Sequence, residues 1–312
     1  MMRTSQAKAS GKPKPAGRRP RLSSPAAGLD CATAFQRIAR DCTARIAAHH
    51  SSACAGDVKA VHQIRVAITR LRAAVSFFTP MAVDVQWRHL KQEIVWLNLS
   101  LGAARDTDVV VGYAGRKRYR QWTQGLISQT LDERRNRDHR RLVRCLRSRR
   151  FQRLIEDLSG WIGRGAWFVA WEEAARRKPA APLKVYGARK LDRWRKRLIR
   201  QGRHLATIDT SRRHRLRIKA KRFRYMLEAL TNIVGVYDPG EFRDMHKAAK
   251  GLQRALGDLR DLRRFGRLGA RSRPPEGGKQ GRRWPPGYRP QKKKLLEAAI
   301  AAHRSLRQAD AG

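Results

Sequence analysis

Apolar residues recur along most of the chain at intervals of three and four. Val61, Ile64, Ile68, Leu71, Val75 and Phe78 are spaced 3, 4, 3, 4 and 3 apart, and the run stops at Pro80. That spacing puts all six on one face of a helix, and the proline ends it. Phe35, Ile38, Cys42 and Ile46 repeat the pattern over 31–50. The same reading gives helices over about 85–104, 106–129, 130–158, 184–206, 212–234, 241–267 and 291–309. Alternation with a period of two is nearly absent. Only VVV at 109–111 and IVGVY at 233–237 read as strand-like. The predicted class is all-α.

Three stretches interrupt the helical pattern. Residues 1–28 hold seven Lys/Arg and no acid among Pro, Ser and Gly, a composition that cannot bury enough apolar surface to order itself. They predict a disordered basic tail. Residues 271–290 contain five Pro and four Gly and predict a long loop. A shorter break at 178–183 (KPAAPL) falls near the middle of the chain. The folded part is therefore expected over 29–309, as a first helical repeat at about 29–177 and a second at about 184–309.

Composition changes the picture in one respect. The 312 residues include 71 Lys+Arg and 25 Asp+Glu, and the difference, 71 − 25, is a formal net charge of +46. Hydrophobic residues make up 41% of the chain, enough for a real core, so a wholly disordered basic chain is excluded. A compact body at that charge repels itself and gathers anions, so a polyanionic partner is expected: nucleic acid, an acidic membrane surface or a phosphate polymer. The four cysteines, Cys31, Cys42, Cys54 and Cys145, form no CxxC pair and read as reduced. His49, His50 and Cys54 read as a solvated helix end rather than a zinc site. Without an apolar signal core near the N-terminus or an apolar run of about 18 residues, the expectation is a cytoplasmic protein with no membrane insertion.

A repeat narrows the choice of polyanion. HQIRVAITRLR at 62–72 aligns without a gap on HRLRIKAKRFR at 214–224. His62 falls on His214, Arg65 on Arg217, Arg70 on Arg222 and Arg72 on Arg224, while Thr69 stands against Lys221. LNLSLGAARD at 97–106 then aligns on LQRALGDLRD at 252–261, pairing Gly102 with Gly257, Arg105 with Arg260 and Asp106 with Asp261. Two blocks in the same order predict two copies of one helical unit, and matched units usually pack about a pseudo-two-fold axis. At about 100° per residue, the apolar stripe of 61–78 spans roughly 160° to 260° from His62. Arg65 and Arg72 lie at about 300° and 280°, and Arg70 near 80°. A solvated helix face would mix glutamate into such a stripe at helical spacing. Instead no acid occurs between Arg212 and Leu227. Arginine forks suit phosphate oxygens bidentately, and histidine on the flank can donate to an anion or orient an arginine. Asp106 and Asp108 read as structural acids rather than a metal pair, and Arg105 and Arg260 as their internal partners.

These blocks, with supporting stretches at 133–162 and 190–205, resemble the CHAD domain, the conserved histidine α-helical domain, over about 29–309. The resemblance implies two four-helix-bundle-like repeats related by pseudo-two-fold symmetry, with basic residues lining a central groove. It also implies non-catalytic binding of inorganic polyphosphate and placement at polyphosphate granules. Carried over by position, the binding candidates are His62, Arg65, Arg70, Arg72, His214, Arg217, Lys221, Arg222 and Arg224, with Thr69 departing from the usual basic residue. No ExExK strand of the triphosphatase domain fused to some members is found, which predicts a stand-alone member with no cofactor and no metal. A basic helical protein that binds nucleic acid is the alternative reading. An enzyme acting on phosphorylated substrates would need a carboxylate–metal cluster, a P-loop or a phospho-histidine, and only histidine is on offer.

Overall fold

The computed structural model describes residues 29–123, 126–177, 181–271 and 284–309. The tail at 1–28 and most of the Gly/Pro stretch at 271–290 lie outside them. Eleven helices occur among the described residues, and no strand. They are α1 (Cys31–Cys54), α2 (Val58–Phe77), α3 (Val85–Ala114), α4 (Lys117–Thr123), α5 (Leu126–Leu146), α6 (Arg149–Arg164), α7 (Ala166–Arg177), α8 (Leu183–Gln201), α9 (Thr210–Val234), α10 (Pro239–Arg271) and α11 (Tyr288–Gln308).

Aspartates start five of these helices. Asp30 accepts from Thr33 N–H, Asp57 from Lys59, Asp84 from Trp87 and Asp209 from Arg212, at 2.7 to 2.8 Å. Asp238 accepts from Gly240 and Glu241 at the start of α10. Each cap satisfies an orphan amide of the first turn and sits at the positive end of the helix dipole. Five of the 25 acids are thus engaged at helix starts.

Three expectations from periodicity need correction. VVV at 109–111 is helical, because the apolar rhythm of α3 (Leu97, Leu101, Ala104, Thr107, Val110) runs unbroken to Gly115. Expected helices 85–104 and 106–129 are thus one long helix followed by the short α4. IVGVY at 233–237 is the end of α9, where Gly235 adopts φ +57°, the left-handed cap conformation that glycine takes without strain. The expected helix 130–158 is cut at Arg147, and Ser148 caps a new helix by accepting from Phe151 N–H at 3.2 Å. The segment α7 carried no periodic signal. It is held by Trp167, whose indole N–H donates to the Trp161 carbonyl at 2.8 Å.

One apolar core runs through both halves of the chain. Phe35 meets Phe78, Trp161 and Trp167 edge-on at 5.7, 5.7 and 4.8 Å, pairs that contribute about 1 kcal/mol each beyond burial. Phe77 carries the core across to α8 through Trp194 and Tyr186. A smaller cluster, with Val110, Tyr113, Tyr119 and Phe265, ties α3 and α4 to α10. In the first half α1 packs on α2 and α2 on α3. In the second, α8 packs on α9, α9 on α10 and α10 on α11. The halves meet where α2 packs on α9 and α3 on α10. Those four helices carry the repeated blocks.

Candidate anion-binding site

The meeting of α2, α3, α9 and α10 divides the nine candidate residues into three groups. His62 and Arg65 on α2 converge with His214, Arg217 and Lys221 on α9. Arg65 Nη1 donates to the Leu101 carbonyl of α3 at 3.1 Å. Lys221 Nζ donates to Thr69 Oγ1 at 3.3 Å, so the two aligned positions that differ in charge touch each other. Arg217 lies against α10 at Gly257. A Cβ there would come within 3.2 Å of Arg217 Nε, which gives this repeated glycine a packing reason. Gly102 has no such close neighbour.

The electrostatics of this group are those of crowded cations. Burial, then Arg217, Arg65, Arg224 and Arg70, push the Lys221 ammonium down to about 7. Burial lowers Arg65 and Arg217 as well. Arg105, Arg260 and Arg217 lower Arg65 further, against Asp106, and Arg260 lowers Arg217 further, against Asp261 and Asp106. His62 is exposed at the rim and His214 half-buried. Partial loss of hydration and neighbouring arginines hold both imidazoles below their ordinary range. Arg217 Nε and His214 Nδ1 are buried and have no hydrogen-bond partner, which leaves polar groups uncompensated.

Arg70 and Arg224 differ in having an acid beside them, although Arg70 Nε is also buried without a partner. Both are tied to Glu228 of α9: Arg70 Nη2 donates to Oε2 at 3.0 Å, and Arg224 Nη1 and His246 Nε2 meet Oε1. Tyr225 lies beneath Arg70, Arg224 and Lys221 at 5.1, 4.5 and 5.5 Å from its ring centre. The acid-free run ending at Leu227 therefore meets its counter-charge one residue later. Arg72 and Arg222 form the third group, near each other, with Arg222 about 100° round α9 from Lys221.

Residues outside the candidate set extend the first group into open grooves. Arg260, expected as an internal partner of the acids, lines two of them. A cavity of about 330 Å³ lies between α3 and α10, and one of about 1090 Å³ between α9, α10 and α11. Arg260, Arg263 and Arg267 border both, and His214, Lys292 and Lys293 border the larger. Their helical spacing was readable in DLRDLRRFGR at 258–267, though nothing in it distinguished a groove from a solvated face. Arg105 has no ion pair with an acid among the described residues, while Asp106 pairs with Arg264. Asp108 bonds His139 at 2.9 Å and Arg135 at 3.1 Å. The two acids of the DxD pattern thus go to separate partners, and no group of three or more metal-ligating side chains occurs among the described residues. The His49–Cys54 end is also explained: His50 Nε2 bonds the Leu146 carbonyl at 2.9 Å and its ring stacks on Phe151. No described helix is long and apolar enough to cross a membrane.

Comparison with known proteins agrees with this architecture. The family model described as "CHAD domain" matches residues 37–268. A crystal structure of the CHAD domain from the plant Ricinus communis superposes with a TM-score of 0.68 at 23% identity, covering 89% of this chain and 94% of that one. PptA from Streptomyces chartreusis superposes with a TM-score of 0.57 at 15% identity, covering 90% and 98%. No curated protein matches the chain.

Proposed function

The chain belongs to the CHAD domain family, and on that premise we propose that it is a non-catalytic binder of inorganic polyphosphate. The observation that carries the reading is the group formed by Arg65, Arg217 and Lys221. Helices from both halves hold these cations together, with one buried donor, Arg217 Nε, that lacks an acceptor and a lysine pushed down to about 7. A chain of phosphates supplies the missing acceptor and relieves the repulsion at once. Arginine forks take its oxygens in pairs, and Arg260, Arg263 and Arg267 continue the track. Three of the nearby acids, Asp106, Asp108 and Glu228, are each held in ion pairs rather than poised to activate water, which favours binding over catalysis. A two-fold relation between the halves belongs to the same proposal. It is supported by aligned positions meeting each other, Thr69 with Lys221 and Asp106 near Asp261. Recruitment to polyphosphate granules would follow from binding.

The alternative, nucleic acid, is favoured by one observation. Trp284 and Tyr288, stacked on each other at 4.2 Å, border the larger groove, and aromatic rings beside cations are what single strands use. Competition separates the readings. At equal phosphate concentration and moderate salt, long-chain polyphosphate should displace DNA and RNA from the protein. Its own affinity should fall linearly with the logarithm of salt concentration, as counterion release requires. Displacement of bound polyphosphate by DNA would instead make nucleic acid the ligand.

A proton should accompany the polymer. In the free protein Lys221 titrates at about 7 against an ordinary 10.5. A bound polyanion favours the ammonium and raises that value. Its contribution to affinity is therefore complete below pH 7 and is lost as pH rises through the value in the complex. Calorimetry at pH 8 in buffers of different ionisation enthalpy should register uptake of about one proton per protein on binding. Lys221→Met should abolish that uptake. For the free fold the sign is opposite: the unfolded lysine holds its proton up to about 10.5, so stability rises with pH between about 7 and 10.5.

A further inference from the structure

The back of α9 carries a second basic stripe that the groove does not use. At 100° per residue, Lys219 and Arg222 lie about 140° and 80° from His214, away from Arg217 and Lys221. They face α8, where Lys190, Arg193 and Arg197 recur at intervals of three and four. These five side chains surround a cavity of about 400 Å³ that Ser76 of α2 closes at one edge. Its floor is apolar. Leu198 is buried, and Trp194 is held edge-on against Phe77 at 5.3 Å and 78°.

No acid lines this cavity. Asp192, on the same helix as three of the cations, bonds Lys196 at 2.9 Å and Arg195 at 3.4 Å instead. Lys219 donates to Gln201 at 2.7 Å, and Lys190 donates to the Thr79 carbonyl and the Tyr186 hydroxyl at 2.8 and 2.9 Å. These are neutral acceptors that position the ammonium groups without cancelling their charge. Arg193 and Arg197 lower Lys190, and Arg197, Arg215 and Arg222 lower Lys219, in each case after burial. Basic stems that merely cover apolar surface splay their heads into water. Here five basic side chains line one concavity with a flat ring at its base.

We propose that this pocket is a second anion site, separate from the groove, and that it takes one short oligophosphate group. That group could come from inorganic tripolyphosphate or from the triphosphate of a nucleotide, since both present closely spaced oxygens to arginine forks and ammonium groups. The volume falls within the range of about 300–1,000 Å³ typical of small-molecule sites, which is enough for one compact group. Trp194 and Leu198 leave room for an apolar portion beside the phosphates.

Calorimetric titration of the full chain with tripolyphosphate, and separately with ATP, tests this. Two classes of site are expected for tripolyphosphate. Arg193 and Arg197 are exposed, so Arg193→Gln with Arg197→Gln should leave the fold intact. This pair should weaken one class about tenfold or more, the loss of one to two charged hydrogen bonds. Long-chain polyphosphate binding should stay unchanged within about twofold, as independent sites require. Arg65→Gln with Arg217→Gln should spare the pocket class and remove the other. Equal affinity for ATP and tripolyphosphate identifies the phosphate group itself as the ligand. Preference for ATP that is lost in Trp194→Leu identifies a nucleotide. The proposal fails if the Arg193/Arg197 pair leaves the tripolyphosphate isotherm unaltered, or if the Arg65/Arg217 pair removes all tripolyphosphate binding.

Discussion

Replacing Arg65 and Arg217 together by glutamate should lower polyphosphate affinity by about 100-fold or more. Each arginine makes a charge-assisted contact worth about 1.5–3 kcal/mol, each 1.4 kcal/mol is about a factor of ten, and the glutamates add repulsion to the loss. The fold should survive, because the new carboxylates fall among Arg105, Lys221 and Arg260, which can pair with them. Helical circular dichroism should therefore match the parent, while binding at low salt disappears. The milder pair Arg65→Gln and Arg217→Gln should lose affinity in the same direction with less change in local charge. The opposite pattern would refute the site: deletion of residues 1–28 removes binding while both helix pairs bind normally. The tail would then be the binder.

The second large effect is expected on stability. Glu228 pairs with Arg70 and Arg224 and bonds His246 at the junction of α2, α9 and α10, with only 18% of its side chain exposed. Glu228→Ala removes their shared acid and leaves two partly buried guanidinium groups beside Lys221. Breaking a fully buried ion pair from one side costs about 3 kcal/mol or more, and this partly exposed one should cost about 1–2 kcal/mol. A clear drop in Tm is therefore expected in thermal unfolding. Adding polyphosphate should recover more of the lost Tm in the variant than it adds to the parent, because Arg70 and Arg224 are then free to meet phosphate. A Tm within a degree of the parent would show that Tyr225 and solvent already compensate these arginines.

Helix positions were legible in the sequence because a helix that packs on a core must repeat its apolar residues every three or four positions. Boundaries were less so. Ser148 ends one helix and starts another through a single hydroxyl, with no break in the apolar rhythm, and α7 depends on indole contacts rather than periodicity. The site was legible in its residues and only partly in its grouping. His62, Arg65, His214, Arg217 and Lys221 share a stripe and come together. Arg224 shares the stripe too but is claimed by Glu228 one turn later. Arg70 already lay off the stripe at about 80°. Arg72 and Arg222 are drawn to the α8 side, where Arg193 and Arg197 lie. Which cations face one another depends on how four helices cross, and helical phase within one segment does not contain that information.

The contact between Thr69 and Lys221 bears on what sort of polymer can lie across the two halves. Inorganic polyphosphate has no chemical direction: read from either end, it presents the same succession of groups. A receptor with the proposed two-fold relation between its halves would offer a strand the same view from both sides, so a ligand without polarity could present equal faces to both. A single strand of nucleic acid runs from 5′ to 3′ and must present different faces to the two halves. By carrying a hydroxyl on one side and an ammonium on the other, this chain would give an otherwise even-handed cradle a preferred side for the most highly charged part of its guest.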